Sequence, residues 1–349
     1  MTGDTGTTSG TTNDTSAGTP AARPRSRRLR LADGTGPVLA VLVVLLVALA
    51  FAGPAYIEPA GYLALLKRAA PLMILAIGQY FVIVSGGFDL SVGSLVTAEV
   101  VIAARLMDGD ESATLWVIPL LLGFGALVGL VNGLITTRLL VPSFIVTLGM
   151  LLVLDGAVFL WTGGSPRGAL SDAFREVGRG GLEVPLLGQL PWSVVLLAVL
   201  CVAAVLFMRG GTGRTLVAVG DNPDVVRLGG GNVERLRTLA FVLSGLSAAV
   251  AAILLGGFAG VSAQVGDGLE FRVITAVVLG GVVLGGGRGS VVAAMAGALT
   301  LEALFSLLNL LGVAGGLESA VQGGIIIAAV AYAAVGHRLL PGNRTRRNR

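Results

Sequence analysis

The sequence predicts an all-α protein, a polytopic transmembrane helix bundle of about ten spans with both termini cytoplasmic. Three observations carry that expectation. Of the 349 residues, 54% are hydrophobic and 13% charged, against roughly 25% charged in a soluble domain. Apolar runs close to the ~20 residues that a helix needs to cross a bilayer recur along the chain. Arginine gathers in alternate connections between those runs, as the positive-inside rule requires of cytoplasmic segments.

The elements follow in order. Residues 1–36 read as a disordered, basic cytoplasmic tail: 1–22 are rich in Thr, Gly, Ser and Asp with almost nothing to bury, and "RPRSRRLR" (23–30) is a basic flank. The first apolar run, 37–55, contains Ala50-Phe51-Ala52, which resembles a leader-cleavage site. Its length and the long stretch before it favour an uncleaved span, opening a membrane domain over 37–336. Further runs lie at 69–85, 91–107, 115–136, 143–162, 192–208, 238–259, 271–286, 289–311 and 319–335. With the N-terminus inside, the segments 137–142, 209–237 and 287–288 and the basic tail 337–349 are cytoplasmic too. They hold Arg138, Arg209, Arg214, Arg227, Arg235, Arg237 and Arg288, while the acidic "MDGDES" (107–112) falls outside. Lys67-Arg68, on the outer side, and the mixed-charge segment 163–191 fit less well.

Several functions are excluded at this level. One cysteine, Cys201, rules out a disulfide framework and a four-thiolate metal site, and no metal site is expected. The single histidine, His337, lies in the tail, so no His/Asp or Ser/Lys arrangement for an intramembrane enzyme is on offer. A phosphate-binding loop of the GxxxxGK[ST] type needs a lysine, and the only one, Lys67, sits in "LLKRAA". The net charge of +4 is concentrated beside apolar segments, which points to anionic lipid headgroups and not to nucleic acid.

Three stretches interrupt the apolar pattern. In "SGGFDLSVGS" (85–94), Gly86 and Gly87 weaken a helix by about 1 kcal/mol each, and Asp89 or Ser91 can cap the next one. Two compatible readings stand: a helix cap alone, or a break lining a polar pathway, the setting in which an ionisable group is tolerated at membrane depth. "LGGVVLGGGRGS" (279–290) echoes this with Gly280-Gly281 and Gly289-Ser290, and paired glycine interruptions in two halves point to a transport route. In the inside segment, "NPDVVRLG" reads as a short helix with Asn222 as cap and Pro223 at its first position, stopped by glycines 229–231. It offers Val225, Val226 and Leu228 to a soluble partner or to the membrane surface. "GALVGLVNG" places Gly125, Gly129 and Gly133 on one packing face. Glu99, Asp155 and Glu302 fall inside spans, as structural partners, pathway groups or a proton relay.

Taken in order, these segments resemble the permease subunits of ATP-binding-cassette importers for simple sugars, the ribose/xylose/arabinose type, over about 65–335. "GGFDLSVGS" is similar to that family's "GGIDLSVGS". "VPSFIVTLGM" (141–150), "GRTLVAVGDNPDVVRLGG" (213–230), "TAVVLGGVVLGGGRGSV" and "LNLLGV" (308–313) also match family segments. The related branched-chain amino-acid permeases usually lack the Asp-Leu-Ser element, which favours sugar. The resemblance implies a plasma (inner) membrane protein that pairs with a second permease copy, identical or not. It also implies a cytoplasmic ATPase that holds the ATP, an extracytoplasmic solute-binding protein, and no cofactor in this chain. By the same resemblance Gly86, Gly87, Asp89, Leu90 and Ser91 become the candidate pathway motif, and Gly220, Asn222, Val225, Val226, Leu228 and Gly229 become the surface coupling to the ATPase. The chain departs from the family pattern at Asp155, where Arg is frequent, at Glu270-Phe271-Arg272 ("ELD"), and at Phe305-Ser306-Leu307 (near "NNG"). These departures bear on the pathway or the substrate class. The alternative in another class is a proton-coupled secondary transporter, which the acidic residues within spans permit.

Overall fold

The computed structural model describes residue 3 and residues 35–185, 188–313 and 315–339. The N-terminal basic flank lies outside the described residues, and the C-terminal tail is described only to Leu339. The chain forms α1 (Thr35–Ala52), α2 (Pro59–Val84), α3 (Val92–Met107), α4 (Thr114–Arg138), α5 (Ser143–Thr162) and α6 (Asp172–Arg179). A hairpin of β1 (Gly181–Val184) and β2 (Gly188–Pro191) follows, pairing antiparallel with Gly181 opposite Pro191. The rest is α7 (Trp192–Arg209), α8 (Gly211–Asp221), α9 (Pro223–Leu228), α10 (Val233–Ala259), α11 (Leu269–Leu279), α12 (Val291–Leu310) and α13 (Gly315–Leu339), with single 3-10 turns at 54–56 and 111–113.

Among the described residues seven helices, α1, α2, α4, α5, α7, α10 and α12, are long and apolar enough to cross a membrane. The large apolar side chains that α1, α5 and α7 leave exposed, such as Val44, Leu160 and Val199, suit lipid. α2, α3, α10, α11 and α12 form the buried centre. In lipid, association rests on close packing more than on removal of apolar surface from water, and small residues supply the closeness. The glycine face of α4 meets α10 as the sequence predicts: a methyl group on Gly125 would lie 2.5 Å from the Gly245 carbonyl oxygen, and one on Gly133 would lie 2.8 Å from Thr238 Cα.

The structure corrects the sequence reading in three places. The run 271–286 is not one helix: α11 is 11 residues long and ends at Leu279, and non-helical chain continues to Ser290. Val282-Val283-Leu284 keep the run apolar, yet Gly281 takes φ +80° and closes the helix. Non-helical backbone is tolerated here because protein covers it, Val282 being 3% exposed. α2 begins ten residues earlier than the run at 69–85, because its two charges have partners. Lys67 Nζ donates to the Arg179 carbonyl at 2.6 Å, and Arg68 to the Tyr56 hydroxyl at 2.9 Å. Third, the segment 163–191, a bare connection between runs in the sequence reading, holds a helix and a hairpin. Ser171 caps α6 by accepting from the Phe174 amide at 3.2 Å, and the Glu111 carboxylate accepts from the next two free amides, Asp172 N at 2.6 Å and Ala173 N at 3.0 Å.

Candidate functional site: a junction of two helix breaks and the α8 end

The first break starts where α2 stops. The Gly86 amide donates to the Ile83 carbonyl at 2.9 Å and the Gly87 amide to the Val82 carbonyl at 3.0 Å, with Gly86 at φ +89°. This is the paired-bond helix stop that requires a left-handed residue, hence glycine. The chain then crosses to α3 through Phe88, Asp89, Leu90 and Ser91. Asp89 is 2% exposed. Its Oδ1 accepts from the Ser91 amide at 3.0 Å and the Ser91 hydroxyl at 2.7 Å, and its Oδ2 accepts from the Ser244 hydroxyl of α10 at 2.8 Å. Of the two cap candidates, Asp89 therefore binds the start of α3, whereas Ser91 makes no side-chain cap bond. The Ser91 hydroxyl also accepts from Asn132 Nδ2 of α4 at 2.9 Å. Ser143, at the start of α5, accepts from the Phe88 amide at 3.0 Å. Three neighbouring helices thus hold one short break. In this conformation its carboxylate is occupied and shielded from any solute.

The second break repeats the same local solution. Gly281 donates to Val278 at 2.8 Å and Val282 to Val277 at 3.3 Å. The echo between the two glycine stretches is therefore a shared helix stop, with Gly281 in the place of Gly86. Beyond it, Gly286 and Gly287 take φ +84° and +73°, and the Gly287 amide donates to the carbonyl of Val84, the last residue of α2, at 2.9 Å. The two breaks are joined backbone to backbone.

The end of α8 completes the junction. A methyl group on Gly220 would overlap the Val84 carbonyl oxygen and lie 2.5 Å from the Gly287 nitrogen; one on Gly286 would lie 3.0 Å from Gly86 Cα and 3.1 Å from Gly220 Cα. Arg237, in the second turn of α10, donates from Nε to the Ser85 carbonyl at 3.1 Å. Gly86, Gly220 and Gly286 thus meet with no side chain between them.

Gly220 accordingly parts from the other residues predicted to couple to a partner. Asn222 caps α9, accepting from the Asp224 amide at 3.0 Å and the Val225 amide at 3.2 Å. Val225 and Leu228 stand out at 61% and 89% exposure, and Gly229 is exposed beside them. Val226 is half-buried, packed towards Gly231. The α8–α9 segment thus has an inner end inside the junction and an apolar outer face.

Sequence reasoning missed Arg237, Ser244, Asn132 and the pair Gly286-Gly287. Ser244 and Asn132 carried a usable signal, being polar residues inside apolar runs. Arg237 carried none, since it reads as one more cytoplasmic arginine. Of the acidic residues within spans, Glu99 is fully buried with both carboxyl oxygens lacking a hydrogen-bond partner among the described residues. Asp155 does not face the bundle interior; it is exposed on α5. Glu302 is half-buried near the other end of the bundle.

Comparison with known proteins places the chain in a family. Residues 61–330 match the family described as branched-chain amino acid transport system / permease component. The chain belongs to this permease family. Its relatives include the ribose import permease protein RbsC of Escherichia coli (strain K12), to which this permease is 34% identical over 84% of its own chain and 91% of the relative's. The L-arabinose ABC transporter permease protein AraH of Azospirillum brasilense is 31% identical over 89% and 90% of the two chains. The autoinducer 2 import system permease protein LsrC of Enterobacter sp. (strain 638) is 34% identical over 78% of each. No solved structure matches the permease. It is the membrane permease subunit of an ATP-binding-cassette importer, a multi-pass protein of the plasma membrane.

Proposed function

We propose that this permease forms the translocation pathway for a simple sugar or related small polar solute, with the α8–α9 end cytoplasmic. A solute-binding protein delivers cargo on the opposite side, and a separate ATPase subunit binds and hydrolyses ATP. The permease itself needs no cofactor and makes or breaks no covalent bond. A second permease copy, identical or related, completes the pore.

The observation that carries this reading is the direct contact of the α8 end with both helix breaks. Val225 and Leu228 of α9 give an ATPase an apolar purchase, and Asn222 and the glycines after α9 fix the geometry of that short helix. When the ATPase closes on ATP, the displacement of α8 reaches Val84 and Gly287 through backbone contacts with no side-chain slack. Both breaks then move together, and the Asp89–Ser91–Ser244–Asn132 cluster carries α3, α4 and α10 with them. Transport is a shift between two conformations, driven by the ATPase's preference for one of them.

Purification from the native membrane in mild detergent tests the reading. An ATP-binding-cassette ATPase and a sugar-binding protein should co-purify, and uptake into vesicles should require ATP. Recovery of the chain alone, with uptake driven by a proton gradient and indifferent to ATP, would overturn it in favour of a secondary carrier.

A further inference from the structure

An open, polar cavity of about 290 Å³ lies where α2, α11, α12 and α13 meet the turn at 54–56. Arg68, on its wall, is roughly 24 Å from Val84 along α2 at 1.5 Å per residue, so the cavity sits towards the end of the bundle away from the junction. Its volume is at the lower end of the ~300–1,000 Å³ typical of small-molecule sites.

Its charges are arranged unevenly. The Arg272 guanidinium lies over the Phe305 ring, 5.3 Å from the centroid, and pairs with Glu318 at 3.6 Å. Among the described residues Arg68 donates only to neutral hydroxyls, Tyr56 at 2.9 Å and Ser306 at 3.4 Å. Glu302 reaches the same cavity and forms no ion pair or hydrogen bond among the described residues. One guanidinium therefore keeps free donors and one carboxylate keeps free acceptors on a shared wall. Two arginines and two glutamates leave the lining without net charge, so neither an anion nor a cation is favoured.

A hydroxyl group is both donor and acceptor. Adjacent hydroxyls on one small molecule can accept from Arg68 while donating to Glu302, and both contacts are of the stronger, charge-assisted kind. The hydroxyls of Tyr56 and Ser306 and the amide of Asn309 extend the same pattern around the rim. We infer that this cavity is a binding site for a small, neutral, polyhydroxylated solute, held between Arg68 and Glu302. Two stretches in which the chain departs from the sugar-permease pattern, Glu270-Phe271-Arg272 and Phe305-Ser306-Leu307, both contribute to the cavity, so those departures meet in one place. The inference rests on the proposed function for its solute class, and adds a site separate from the junction.

The test is a protection experiment on the full-length protein in lipid nanodiscs. Ser306→Cys is introduced with Cys201→Ser, and the rate of labelling by a hydrophilic maleimide is followed with D-ribose, L-arabinose, D-glucose or myo-inositol present. At least one should slow labelling in a saturable way, while a cysteine at exposed Ser165 reacts at an unchanged rate. Adding Glu302→Gln or Arg68→Gln should weaken protection about tenfold or more, as loss of one charge-assisted bond implies. The inference is overturned if no polyol protects, if Ser306→Cys never labels, if Glu302→Gln leaves protection intact, or if inorganic phosphate or glycine betaine protects instead. Co-purification of the ATPase decides the proposed function independently: a partnered importer without protection sinks the cavity alone.

Discussion

Replacing Gly220 with alanine puts one methyl group into the tightest point of the junction. Gly220 lies within α8, where alanine is the better helix former by about 1 kcal/mol, so any loss must come from packing. The methyl would overlap the Val84 carbonyl and crowd Gly287, the two partners of a 2.9 Å backbone hydrogen bond. Overpacking of this kind costs about 1–3 kcal/mol, and the bond contributes about 1 kcal/mol. Set against the helix gain, the closed junction loses about 1–3 kcal/mol, roughly a 5–150-fold change in its equilibrium. The assay is solute uptake and ATP hydrolysis by the transporter reconstituted with its ATPase and solute-binding protein. Uptake should fall by at least about fivefold and ATP hydrolysis should lose its response to solute. The ATPase should still co-purify, because Val225 and Leu228 are untouched. Gly123→Ala in α4 is the internal control, since its methyl would meet nothing within 4 Å. Wild-type uptake by Gly220→Ala with the ATPase bound would refute the argument that the α8 end drives the breaks.

Other outcomes follow from the same geometry. Asp89→Asn keeps an acceptor for Ser91 and can donate to Ser244, so the protein should fold with a loss of about 1 kcal/mol; Asp89→Leu strands buried donors at about 1–3 kcal/mol each and should abolish detergent-stable protein, as size-exclusion profiles will show. Leu228→Glu changes a side chain 89% exposed and should insert normally yet lose ATPase co-purification; retained binding would remove α9 from the interface. Gly129→Val drives a branched side chain into the Phe241 carbonyl of α10 and should lower the thermal midpoint sharply, with the cost above the about 1–3 kcal/mol of ordinary overpacking. Glu99→Met replaces a fully buried carboxyl without a hydrogen-bond partner among the described residues and should stabilise the protein by about 1–3 kcal/mol; a lower thermal midpoint would mean that something beyond those residues satisfies the group.

What the sequence by itself determined is local or statistical in origin. Membrane class follows from the length and frequency of apolar runs, because each span must satisfy its own backbone in lipid. The stops at Gly86 and Gly281 and the Asn222-Pro223 start of α9 are legible because a left-handed turn or a cap restricts the residues that can serve. The face of Gly125, Gly129 and Gly133 is legible from helical spacing, although its partner α10 is not. Tertiary structure alone decided what depends on residues far apart in the chain. Hydropathy ran 271–286 into one span because it counts Val282 as apolar without asking whether lipid or protein covers it. Lys67 and Arg68 looked like a boundary because the Arg179 carbonyl and the Tyr56 hydroxyl that satisfy them come from other segments. The meeting of Gly86, Gly220 and Gly286 has no local signature at all: a helix-end glycine and a turn glycine look alike in sequence, and only packing shows which ones touch. Arg237 and Ser244 joined the site for the same reason, since a bond to a carbonyl or carboxylate more than a hundred residues away leaves no trace in its own neighbourhood.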